Sequence, residues 1–243
     1  MMRALQAIVF DFDGVIADSE ALHLRAYREV LAPLGLGLPA EEYYQEYLGY
    51  DDWGVLERYA RARGLAWDEA IISRLVNRKE HRYEALSAQG VMVFPGAAAF
   101  IRDAAAVVPI GVASAARTGE IEDVLERADL KHYFGAIVGA DRVHRSKPAP
   151  DTYLEAFMIL SASAGTPIER DRTVAIEDSS LGLESARAAG LRLVGVTNTH
   201  PASVLASVAE LVVSGLDGLT LTALDVLCEA RPSSERTLRS ARP

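Results

Sequence analysis

"VFDFDGVIADSE", residues 9–20, continues the apolar run Leu5–Phe10 into two aspartates one residue apart, Asp11 and Asp13, with Gly14 directly behind them. A short apolar run bounded by turn residues reads as a buried strand. Delivering two like charges to the end of such a strand is costly unless something there offsets their repulsion. Working outward, further apolar runs occur at Pro109–Ala113, Ala136–Gly139, Thr173–Ile176, Leu193–Val196 and Leu211–Val213. Between them lie apolar residues at helical spacing, such as Ile121, Val124, Leu125 and Ala128, or Tyr153, Phe157 and Leu160. Strands alternating with helices predict an α/β fold, a Rossmann-like parallel sheet with helices on both faces.

One interval breaks the alternation. From Ser19 to Gly90 only helical patterns occur, over Ser19–Leu34, Ala40–Leu48, Asp51–Arg63 and Trp67–Ala88, separated by glycine and proline breaks. This predicts a helical insertion, residues 19–90, within a core formed by residues 1–18 and 91–230. Its hinges are expected near Gly14–Ser19 and Gly90–Pro95. The polar segment 231–243, with arginines at 231, 236, 239 and 242, is expected to be a disordered tail.

The composition narrows the classes of function. Of 243 residues, 50% are hydrophobic, enough for a full core. No apolar run approaches the roughly 18 residues of a membrane span. The N-terminal run meets an acidic pair instead of a small-residue cleavage site, so no signal peptide is read. A single cysteine, Cys228, excludes an intrachain disulfide and fits a reducing cytoplasm. The net charge of −9 argues against nonspecific nucleic-acid binding.

Ligands of open α/β sheets bind beyond the C-terminal ends of the strands. The residues there are Asp11 and Asp13, then Ser114 in "VASAA", Lys147 in "DRVHRSKPAPDTY", and Glu177 with Asp178 in "VAIEDSS". Each alone has a plain explanation. Asp-x-Asp also occurs in calcium loops and glycosyltransferases, a serine after a strand caps helices, a lysine before proline suits a surface loop, and Glu177–Asp178 could cap the helix Ser180–Ala189. Together they describe chemistry. Crowded carboxylates call for a cation, and oxygen ligands without cysteine or paired histidine suit Mg²⁺, which keeps a place for a substrate phosphate. Ser114 and Lys147 supply a hydroxyl and a charge to phosphate oxygens, and backbone N–H groups near Gly14 complete the cradle. One aspartate can then attack phosphorus to form an aspartyl phosphate, while the other moves the proton.

"DFDGVIADS", "VASAA", "KPAPDTY" and "IEDSSLGLESARAAG" resemble the four motifs of the haloacid dehalogenase superfamily. The insertion resembles the helical cap of its β-phosphoglucomutase and phosphoglycolate-phosphatase-like subgroup. The resemblance implies that Asp11 is nucleophile and metal ligand, and that Asp13 is general acid/base and a ligand through its backbone carbonyl. It implies that Ser114, Ala115 and Lys147 bind phosphate and that Asp178 binds metal assisted by Glu177, with Mg²⁺ as cofactor. A dehalogenase would lack the second aspartate, so Asp13 argues for phosphoryl transfer. His23 falls where the mutases carry a histidine on the first cap helix, a candidate substrate contact. The mutases also carry a cap arginine just after a glycine, whereas "LGYDDWGV" (Leu48–Val55) puts Asp51 and Asp52 there. Ala116 and Thr118 stand where mutases often show Ser and Asn. Arg58, Arg78 or Lys79 could replace the missing arginine from another helix, and Asp52→Arg is expected to favour bisphosphates.

The expected function is a Mg²⁺-dependent phosphatase acting on a small phosphorylated metabolite, a sugar phosphate or phosphoglycolate-like compound, in the cytoplasm. The alternative is a β-phosphoglucomutase-like mutase. A phosphoacceptor signalling domain shares the groups but is much shorter and has no insertion. Neither nucleic acid nor membrane is expected as a partner, and oligomeric state is left open, a monomer among the options.

Overall fold

Alternate residues of the first strand, β1 (Ala7–Phe10), face opposite sides of the sheet, and all four are fully buried. Ile8 and Phe10 join one apolar cluster, Ala7 and Val9 another. A strand covered on both faces needs apolar residues at every position, which is why the run carries no polar alternation. The computed structural model describes residues 3–230, so the expectation of a disordered tail at 231–243 lies outside the described residues.

The other core strands are β4 (Ile110–Ala113), β5 (Ala136–Val138), β6 (Thr173–Glu177), β7 (Arg192–Val196) and β8 (Leu211–Val213). They form one parallel sheet in the order β5-β4-β1-β6-β7-β8, with Phe10 registered against Val112 and Ile176. One face is covered by α5 (Ala97–Ala105), α6 (Thr118–Arg127) and α10 (Leu221–Glu229), through residues such as Phe100, Ile121, Leu125 and Leu224. The other is covered by α7 (Asp151–Ser163), α8 (Ser180–Ala188) and the short α9 (Ala202–Leu205), through Tyr153, Phe157, Leu160, Leu183 and Leu205. The helical spacing seen at 121–125 and 153–160 is therefore the spacing of two buried stripes.

The insertion is helical throughout: α1 (Glu20–Leu31), the short α2 (Ala40–Glu42) running into a π turn at Tyr43–Tyr47, α3 (Asp52–Ala62) and α4 (Glu69–Ser87). Asp51 and Asp68 are the N-caps of α3 and α4, accepting from the Gly54 and Ile71 amides. The cap has its own core, built on Tyr27, Leu31, Tyr43, Tyr47, Leu56 and Tyr59. Its two connections to the core run side by side. Residues Ala17–Asp18 (β2) pair antiparallel with Met92–Val93 (β3), so the expected hinges form a two-stranded ribbon. Two residues per strand leave no periodicity to read, which is why sequence showed linkers there. Among the described residues no helix is long and apolar enough to cross a membrane.

Candidate active site

β1 is flanked by β4 on one side and β6 on the other, and their C-terminal ends open on one crevice. Asp11, Asp13, Ser114, Ala115, Lys147 and Asp178 all line a cavity of about 250 Å³ between core and cap. Lys147, 3% exposed, donates to Asp11 Oδ1 at 2.8 Å and to Glu177 Oε1 at 2.6 Å. Burial works against the lysine's charge, but Asp11 and Glu177 outweigh it and push its pKa up. The Asp11 carboxyl is pushed up to about 8, first by burial, then by Glu177, against the pull of Lys147. Asp178 is raised well above the ordinary range by burial and by the charges of Glu177 and Asp11. Three carboxyl groups thus share one lysine, and without a further cation Asp11 and Asp178 are driven towards their protonated form.

The residues present fit a divalent cation. Asp11, Glu177 and Asp178 each offer an oxygen within 4.8 Å of the others, and Asp178 Oδ2 is buried without a hydrogen-bond partner. Buried polar atoms are rarely left so unless an ion or water satisfies them. Glu177, which the resemblance implies assists Asp178 at the metal, belongs to this cluster and also anchors its neighbours. Its Oε1 accepts from Lys147 and Tyr153, and its Oε2 from the amides of Asp178 and Ser179 and from the Ser179 hydroxyl. Glu177 thus holds Lys147 and the turn that carries Asp178 while its carboxylate stays within the acidic cluster. Gly182 allows this closeness, since a Cβ there would lie 1.8 Å from Glu177 Oε1. Gly14 is required twice over: its φ is +77°, and a Cβ would meet Asp178 Oδ2 at 1.8 Å.

Asp13 leaves the floor. Its Oδ1 accepts from the Ser19 hydroxyl and lies 3.5 Å from His23 Nε2. Burial would raise its pKa, but His23, Ser19 and Lys79 hold it below the ordinary value. His23 is buried and stacked on Tyr83 with ring centroids 4.0 Å apart. Its Nδ1 is 2.8 Å from Lys79 Nζ. Ammonium only donates, so Nδ1 accepts and the Nε2 hydrogen faces Asp13. His23 therefore links Asp13 to a buried cap lysine, a contact its position in the sequence did not reveal.

The cap wall also changes the expectation for Asp51 and Asp52. Asp51 is occupied as the α3 N-cap. Asp52 Oδ1 lies 2.6 Å from Lys79 Nζ and accepts from the Tyr27 hydroxyl at 2.6 Å, so it is a paired charge and no bare repulsive one. Of the three substitutes for an arginine, Lys79 lines the cavity, whereas Arg58 stacks over Tyr50 and Arg78 is exposed. Sequence reasoning missed Glu20, which accepts from Tyr43, and Glu120, whose carboxyl burial pushes up to about 7 against Lys79 and His23. It also missed Tyr153, read as core for its helical spacing. Glu20 and Tyr153 lie within quoted stretches, whereas Glu120 carries no local signal.

These features define a hydrolase of the haloacid dehalogenase type, and the family profile described as haloacid dehalogenase-like hydrolase matches residues 8–196. The chain belongs to that family. It is 36% identical over 237 residues to Protein CbbY of Cereibacter sphaeroides, covering 90% of this chain and 98% of that one. It is 32% identical over 236 residues to Hexitol phosphatase B of Escherichia coli K12, covering 93% and 98%. The crystal structure of a CbbY mutant from Rhodobacter sphaeroides in complex with xylulose-1,5-bisphosphate superposes with a TM-score of 0.80 at 28% identity, over 91% of this chain and 99% of that one.

Proposed function

We propose that this haloacid dehalogenase-like phosphatase is Mg²⁺-dependent and hydrolyses a small phosphorylated metabolite, a sugar phosphate or phosphoglycolate-like compound, through an aspartyl phosphate on Asp11. The observation that carries this reading is the separation of the two aspartates: Asp11 is tied to Lys147 in the floor, Asp13 to Ser19 and His23 on the cap side. An Asp11 oxygen attacks phosphorus, the P–O bond to the leaving alcohol breaks, and Asp13 gives that oxygen its proton. Water then attacks the same phosphorus and passes a proton to Asp13, freeing inorganic phosphate and Asp11. The arriving phosphate dianion, a like charge, raises the proton affinity of Asp13 for its role as acid. Ser114 and Lys147 orient the phosphoryl oxygens. Asp11, Asp178 and the Asp13 backbone carbonyl would hold Mg²⁺, which when bound neutralises the charge shared by phosphoryl and carboxylate oxygens.

The named activities of the relatives support a phosphorylated carbohydrate. A mutase would need a second anion site in the cap, and Lys79 is the one specific observation in its favour. Its pairing with Asp52 favours the phosphatase. The test is a panel of phosphorylated sugars and short-chain phosphates, with inorganic phosphate and isomerised product measured in one assay. Phosphate release that stops with a chelator and returns with Mg²⁺ is the expected result. Isomer formed about tenfold faster than phosphate, a difference of about 1.4 kcal/mol in barrier, would establish the mutase instead.

A further inference from the structure

The loop after β7, Asn198–His200, touches both segments that carry the proposed metal ligands. Asn198 Nδ2 donates to the Gly14 carbonyl at 2.8 Å. His200 Nδ1 lies 3.1 Å from the Asp178 carbonyl, and since a carbonyl only accepts, Nδ1 carries the hydrogen. Between them the Thr199 hydroxyl faces the Gly14 turn. The same hydroxyl would be 2.9 Å from a Cβ at Gly14. Each ligand segment is thereby held at both ends of one residue. The Gly14 amide donates to Ala17 while its carbonyl takes Asn198, and the Asp178 amide donates to Glu177 while its carbonyl takes His200. The loop is anchored in turn by the Thr197 amide, which donates to Val213 of β8.

We infer that Asn198 and His200 are positioning residues for the cation site, fixing the Asp13–Gly14 turn and Asp178 relative to one another. The inference rests on the Mg²⁺ reading above. Its physical basis is that β1 and β6 end in separate turns, and the side-chain bonds from this third loop set their spacing at the point where a cation would bridge them. Partners that orient ligands typically change metal affinity by about 10- to 100-fold when removed.

The experiment is calorimetric titration of the substrate-free protein with MgCl₂, alongside thermal melts without metal. Asn198→Ala is expected to weaken Mg²⁺ binding about tenfold, and His200→Phe, which keeps the ring and loses the donor, by about three- to tenfold. His200→Asn restores a donor near the Nδ1 position and should bind within about twofold of the parent, with the metal-free melt unchanged in all three. If Asn198→Ala fails to fold, the His200 pair decides by itself. Binding within about twofold of the parent in both Asn198→Ala and His200→Phe overturns the inference alone, as does a His200→Asn no better than His200→Phe. A parent protein that takes up no Mg²⁺ overturns the metal reading, and the inference with it.

Discussion

The floor and the cap wall of the cavity hold charge in different ways. On the floor, Asp11, Glu177 and Asp178 surround a single lysine, and burial raises the first and last of these carboxyls far above their ordinary values. On the wall, buried Lys79 pairs with half-buried Asp52, with Tyr27 donating to the carboxylate and His23 accepting from the ammonium. The floor is incomplete without added positive charge and the wall is already satisfied. A cation therefore gains on the floor, and an anionic group only together with it, whereas the wall offers hydrogen bonds to neutral atoms at little electrostatic cost.

The largest expected effect breaks the floor. Asp11→Asn should remove more than about 10³-fold of phosphate release, because an amide is no useful nucleophile toward phosphorus. The same variant should melt no lower than the parent in the absence of metal, since it relieves crowding among like charges. Substantial turnover in a clean preparation would take the nucleophile's role from Asp11.

Breaking the wall should cost stability first. Lys79→Met leaves half-buried Asp52 without its cation and should destabilise the protein by about 1–3 kcal/mol, read from denaturant unfolding. Lys79→Met combined with Asp52→Leu should recover most of that loss, and additive losses would mean the two residues do not act as a pair. Asp52→Arg, suggested by sequence as a route to bisphosphates, would set two cations against each other. It should lower the melting temperature without a selective gain for bisphosphates, and such a gain in a stable variant would mean that the wall rearranges around a second phosphate.

The smallest effect sharpens the comparison at the border between floor and wall. Glu120 sits on α6 with its carboxyl pushed up to about 7. A raised carboxyl makes its full contribution to stability below its ordinary value of 4.5 and loses it as pH rises to about 7. Glu120→Gln stays uncharged throughout, so its melting curve should match the parent near pH 4.5 and lie above it at pH 8. The gap should be on the order of 1–2 kcal/mol, allowing for partial solvent access. An equal gap at both pH values would show that Glu120 does not titrate in this range.

The strand-end residues were legible because local sequence determines them. An apolar run buried on both faces must be a strand, and the residue following it must lie at the sheet's C-terminal edge, so Asp11, Ser114, Lys147, Glu177 and Asp178 could be assembled from one dimension. The helical cap was legible for a similar reason, since periodicity is a short-range property. What only the tertiary structure decided was pairing. Lys79 lies 56 residues from His23 along the chain, and Asn198 lies 184 from Gly14. No periodicity connects such positions, because helix packing and strand order bring them together. The same contacts turned Asp52 from a repulsive charge into half of an ion pair, and gave Glu177 the task of holding Lys147 beside its place in the acidic cluster. The sequence by itself determined which chemical groups reach the sheet edge. The fold decided which charges are left for a ligand, because neutralisation depends on ångström distances between residues remote in the chain.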